Sequence, residues 1–103
     1  MIVDKLSNVS AACKDNKCKF SAKSDTSGKG LDCISIFKHK SNPDTYYGLY
    51  HAMDASISNF ILYLAESKDG LTNWKDIREL DKFASQGKTW TNPNGDDIVV
   101  AYE

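Results

Sequence analysis

The residues best equipped for chemistry are three cysteines, Cys13, Cys18 and Cys33, and two histidines, His39 and His51. The four-residue gap between Cys13 and Cys18 suits a disulfide across a tight turn at Lys14-Asp15-Asn16-Lys17, if the strands bring the two Cα atoms within about 4.4–6.8 Å. Three idle thiols are the alternative, and both readings stand. A structural zinc wants four close-set Cys or His ligands. With the histidines expected on separate strands, no metal site and no cofactor are expected. Asn8-Val9-Ser10 is a glycosylation sequon, which has meaning only for an exported chain.

Those side chains must be held by a sheet. In Thr45–Met53 one alternate set is Tyr47, Leu49, His51 and Met53 and the other is Tyr46, Gly48, Tyr50 and Ala52. In Phe60–Glu66 the sets are Phe60, Leu62, Leu64 and Ile61, Tyr63, Ala65. Both faces are mostly apolar, whereas a half-exposed sheet alternates apolar with polar. These two strands are therefore expected at the centre of a sheet covered on both sides.

Around them, Asp32–Lys40 reads as a strand that Ser41-Asn42-Pro43-Asp44 turns back, and Asp54–Asn59 makes the next reversal. A Ser67-Lys68-Asp69-Gly70 corner leads to a fourth strand from Trp74 to Leu80, although a helix over Asn73–Ser85 with Trp74, Ile77, Leu80 and Ala84 on one stripe also fits. The Asp-Gly corner favours the strand. Strand starts near 32, 46, 60 and 74 lie about fourteen residues apart, which predicts an all-β, antiparallel four-stranded meander. Further strands are expected at each end: Ile2–Leu6 and Cys18–Ala22 before it, an extended Gln86–Trp90 and a strand over Asp97–Glu103 after it. The segment Lys23–Gly30, rich in Gly and Ser, reads as an exposed loop that separates the head from the rest. The organisation expected is a segment 1–30, a blade-like unit 31–80 and the loop and first strands of a second unit in 81–103.

Composition excludes several classes. Thirteen basic residues against 14 acidic ones, only one of them Arg, offer no field for a phosphate backbone, so nucleic acid is not an expected partner. The longest apolar run, Phe60–Ala65, is far below the ~20 residues a membrane helix needs. No export signal is visible after Met1-Ile2-Val3, where Asp4 and Lys5 follow at once; an extracellular location is expected only if a signal peptide is missing. Apolar residues at 41% and a length of 103 residues suit one small core.

The meander with its Ser67-x-Asp69-Gly70-x-x-x-Trp74 corner resembles one blade of a β-propeller. Over Leu31–Glu103 the order of motifs is similar to the five-bladed propellers of the arabinanase, β-xylosidase, levansucrase and invertase glycosidases, and Gly87-Lys88-Thr89-Trp90 echoes the corner of sialidase-like propellers. The resemblance implies a carbohydrate partner, with Tyr47, Tyr50, Trp90 and Tyr102 stacking on sugar faces; core packing is the alternative for each. It also implies that Asp32 and Glu103 stand where paired catalytic carboxylates would, held about 5–5.5 Å apart for retention or about 6.5–9.5 Å for inversion. Ser67, Asp69, Gly70 and Trp74 are expected to be structural, Asp69 bonding its own turn and Trp74 burying on the blade. Five such blades need far more chain than this, so the expectation is a fragment, or copies that associate to complete a ring, binding sugar without hydrolysing it alone. The competing expectation is a small non-enzymatic β domain that binds a protein partner.

Overall fold

The computed structural model describes residues 22–94 and 97–103. It is all-β. Strands β1 (Asp32–Phe37), β2 (Tyr46–Asp54), β3 (Asn59–Ser67) and β4 (Lys75–Lys82) form one antiparallel sheet in the order β1-β2-β3-β4, and β5 (Lys88–Thr91) pairs with β6 (Ile98–Ala101) in a second. The strands expected over Ile2–Leu6 and Cys18–Ala22, the Cys13–Cys18 pair and the sequon lie outside the described residues, save for Ala22. Among the described residues no helix is long and apolar enough to cross a membrane.

The β2–β3 pair is the most regular part, running without a break from Tyr46↔Ser67 to Asp54↔Asn59. Both faces are covered, as the doubly apolar pattern requires. On one face, here face A, Tyr50, Ala52, Ala65, Leu31 and Trp74 form a buried cluster with Ile34, Tyr46 and Tyr63 packed against it. On face B, Leu49, Leu62 and Ala84 are buried with Phe37, Leu64 and Leu80 around them.

Trp74 sets the thickness of face A. Only glycine lets it lie flat across β2: a Cβ at Gly48 would stand 2.6 Å from Ile34 Cδ1 and 3.0 Å from Trp74 Cζ3. The indole is 2% exposed, which makes it the largest fully buried side chain.

Two details differ from the pattern in the sequence. Strict alternation puts Asp76 and Leu80 on one face of β4, but the β3–β4 register slips between Leu62/Tyr63 and between Leu64/Ala65. Ile77 and Leu80 are the extra residues at these bulges, and each bulge reverses the alternation locally. Asp76 therefore reaches Tyr50 on face A while Leu80 joins the cluster on face B. The second difference is Lys23–Gly30, which is not a free loop. Its ends bridge at Lys23↔Gly30, Asp25 N donates to Trp74 O at 2.7 Å, Asp76 N donates to Thr26 Oγ1 at 2.9 Å, and Ser24 is 3% exposed. Backbone groups at the start of β4 need partners. The Thr26 hydroxyl and the Asp25 amide supply them, so this segment is a clasp on the sheet rather than a spacer.

After β4 the chain crosses face B. Ala84 N donates to Phe60 O at 3.1 Å, Gly87 lies over Leu49 and Leu62, and β5 comes to rest beside β1. The connection thus runs from the outermost strand of the meander to the neighbourhood of its first.

Trp74→Ala should cost about 3–5 kcal/mol, the range for emptying a large aromatic from a core, and Trp74→Phe distinctly less. Urea unfolding followed by far-UV circular dichroism checks the pair; equal midpoints for wild type and Trp74→Ala would contradict this account of face A.

Candidate functional site

The corner after β3 is built from its own side chains. Asp69 Oδ1 accepts from Leu71 N at 2.9 Å and Thr72 N at 2.7 Å, and its Oδ2 accepts from Thr72 Oγ1 at 2.6 Å. Ser67 Oγ donates to Thr72 O at 2.6 Å and accepts from Gly70 N at 3.0 Å, while Gly70 takes φ +72°. The Thr72 hydroxyl, with the amides of Thr72 and Leu71, holds the Asp69 carboxyl well below the usual carboxylate range. Asp69 is thus held from within its own turn, and Trp74, which follows the corner, is buried on face A. Beside the corner lies a recess of about 530 Å3 lined by Asp25, Thr45, Glu66, Lys68 and Lys75 among others. Its two buried hydroxyl residues are already engaged: Thr45 Oγ1 accepts from Lys68 Nζ at 3.0 Å, and Ser67 holds the turn.

The four aromatic residues proposed to stack on sugar are scattered. Tyr50 is 1% exposed, its ring stacked on Tyr63 and its hydroxyl donating to Asp76 Oδ1 at 2.6 Å. It belongs to the core and offers no platform. Burial, then the bond to Asp76, pushes its phenol up. Asp76 is moved oppositely: burial raises it, but hydrogen bonds from Ser27, Tyr50 and Ser24 outweigh that and leave it lowered. Tyr47 is half-buried, stacked on Phe37, and its hydroxyl accepts from Asn42 Nδ2 at 3.0 Å. Trp90 stands 59% exposed on β5, opposite Val99. Tyr102 is 49% exposed and donates to Asp81 Oδ2 at 2.7 Å, an interaction that raises its phenol.

The two carboxylates singled out by the resemblance come to one end of the molecule. Asp32 opens β1 opposite His51. His51 Nδ1 accepts from Gln86 N at 3.0 Å and its ring meets Phe60 edge-on at 4.5 Å. The neighbouring Ser85 exchanges both backbone hydrogen bonds with Glu103, at 3.1 and 3.0 Å. His51 thus links, through the crossover, the start of the first sheet to the end of the second. Asp32 and Glu103 are both exposed, on different sheets. A glycosidase acid sits in a dry, apolar pocket, and among the described residues none encloses either carboxylate.

This end also concentrates unusual backbone. Of the five non-glycine residues with positive φ among the described residues, Cys33, Ser58, Phe83 and Gln86 lie here and Asn73 lies at the other. Phe83 is the most telling, a bulky residue at φ +54° that is 63% exposed. Left-handed geometry is uncommon for such a residue, and strain of this kind gathers at functional sites. Nothing in the sequence pattern marked Phe83, because a lone Phe between Lys82 and Ala84 reads as a core residue of either a strand or a helix. Among the described residues no three His, Cys, Asp or Glu side chains are grouped to hold a metal ion.

No family model matches the chain, and no curated protein and no solved structure matches it either.

The lowered carboxyls of Asp69 and Asp76 fix a sign for acid stability. With folded values below the unfolded reference of about 3.9, their contribution is complete above that value and disappears as pH falls through the folded values. Stability should therefore be lost below about pH 4, and Asp76→Asn should flatten the decline. Tyr50→Phe should cost about 1.5–3 kcal/mol for the lost charge-assisted bond. Urea midpoints at neutral and acid pH test both, and an Asp76→Asn curve parallel to wild type would be the contrary result.

Proposed function

We propose that the chain is a propeller-type blade followed by the first two strands of a second blade, and that it recognises carbohydrate without hydrolysing it. The observation that carries this reading is the crossover, in which the chain leaves the outer strand β4, crosses the sheet face and starts a second sheet at β5 beside β1. That is the step by which successive blades follow one another around an axis. It supports placing the ligand at the end where β1 begins, with Phe83 and Tyr102 as exposed aromatic surfaces and Asp32, Asp81 and Glu103 as acceptors for sugar hydroxyls. Aromatic faces beside fixed polar groups are how proteins bind sugars in water, the ring covering C–H surface while the polar groups fix orientation.

Hydrolysis is disfavoured on the same geometry, since two water-exposed carboxylates on separate sheets lack the enclosed setting that an acid and base pair requires.

Titration of the folded chain with arabinan, xylan, fructan and sialoside ligands by calorimetry should give binding to one class, weakened about tenfold or more by Phe83→Ala or Tyr102→Ala. Both side chains are exposed, so the fold should persist. Reducing-sugar release should stay at background. Absence of any response from a folded sample would overturn the reading, as would binding that neither variant alters.

A further inference from the structure

His51 is 6% exposed and lies between β1 and β3 in the sheet. Its Nδ1 accepts from Gln86 N at 3.0 Å. A neutral imidazole has one N–H and one acceptor nitrogen, so this bond puts the ring hydrogen on Nε2. The protonated ring carries a hydrogen on both nitrogens, and its Nδ1–H would then face the Gln86 N–H, donor against donor. The bond therefore exists only while the ring is neutral. Gln86 is also a residue at which the crossover bends, with φ +56°. Beyond β4 the chain is tied to the meander from Ala84 N to Phe60 O at 3.1 Å, from Gln86 N to His51, and from the Tyr102 hydroxyl to Asp81 Oδ2 at 2.7 Å. Histidine is the side chain that ordinarily changes charge between about pH 5 and 8, so of these ties mild acid acts on the one at His51.

We infer that His51 is an acid-sensitive latch for the crossover. Neutral, it holds the Gln86 amide and with it the entry to the second sheet; protonated, it lets that amide go and the 85–87 segment loosens. The tie is present above the titration of the imidazole and is lost as pH falls through it, a range distinct from the loss below about pH 4 ascribed to Asp69 and Asp76. Gln86 is itself exposed, so the freed amide can turn to water without unfolding the meander. The groups on the surrounding elements do not offer the ring another way to keep the bond. Asp32 and Cys33 come from β1, Asp32 directly opposite His51. Leu62 and the edge-on ring of Phe60 come from β3, and Asp81 stands beyond Leu62 on β4. Lys82, next to Asp81, is paired with Glu79, and Lys88 at the start of β5 is exposed. On β2 itself Asp54 is bonded to Ser56, and Glu103 is paired through its backbone with Ser85. The crossover residues Phe83 to Gly87 include no charged side chain. This latch does not depend on carbohydrate binding.

Nuclear magnetic resonance of the full chain between pH 8 and pH 4.5 tests it, with the ring nitrogens of His51 reporting tautomer and protonation and hydrogen exchange reporting the Gln86 amide. At the upper end Nδ1 should show the shift of an unprotonated acceptor. As the ring takes up its proton, the protection of the Gln86 amide should fall about tenfold or more with the same midpoint, while amides of the β2–β3 ladder stay protected. His51→Asn, whose side-chain oxygen accepts at any pH, should keep Gln86 protected throughout, and His51→Phe should leave it unprotected throughout. Should His51→Phe fail to fold, the wild type and His51→Asn decide the matter. A hydrogen on Nδ1 at neutral pH would overturn the inference, as would a ring that stays neutral down to pH 4.5. So would a Gln86 amide indifferent to the titration of the ring, or one that loses protection in His51→Asn as it does in the wild type.

Discussion

The β2–β3 ladder, apolar on both faces, is the constraint from which the rest follows. A strand pair of this kind is stable only when something lies on each side of it, because its exposed apolar surface would cost roughly 25 cal/mol per Å2 left in water. Each covering element answers that demand in its own way. On face A the indole of Trp74 lies against Gly48, and the 22–31 segment closes over Tyr50 through Asp76 and Leu31. On face B the crossover residues Ala84 and Gly87 cover Leu49 and Leu62. The crossover is therefore both core and connector, and its path across the sheet is dictated by the side chains it must hide.

This double demand also explains where the backbone is distorted. To go from the outer strand to the side of β1 within five residues, the chain turns sharply at Phe83 and again at Gln86, both left-handed, with Ala84 buried between them. Ala84 is buried, and the neighbouring Phe83, at φ +54°, is turned out to water. His51 then accepts the Gln86 amide, so that a polar group on an apolar face is matched with an orphan donor of the crossover. Strand, core and exposed aromatic end are tied through one imidazole.

Much of this was legible from residue order. Period-two patterns with apolar residues in both sets located β2 and β3, and the Asp69-Gly70 corner located the turn and favoured strand over helix for β4. The bulges at Ile77 and Leu80 were not legible, because a bulge moves residues between faces without changing composition. Nor was the clasp of residues 24–27, which has the composition of a solvent loop and whose Thr26 hydroxyl and Asp25 amide meet backbone partners only once β4 lies beside them. Tyr50 could be assigned equally to core or to ligand from its strand position. It is core because Leu31 and Trp74 pack on it from segments outside the strand pair, and Asp76, opposite Ala65 on the same face, takes its hydroxyl.

At the site the same division holds. Asp32 and Glu103 could be named only through a resemblance, as the two ends of strands far apart in the chain, whereas their common location depends on the β1–β2 register and on the Ser85–Glu103 pairing. Bringing two acids to one end is a weaker condition than enclosing them, and enclosure is the property on which acid–base chemistry depends.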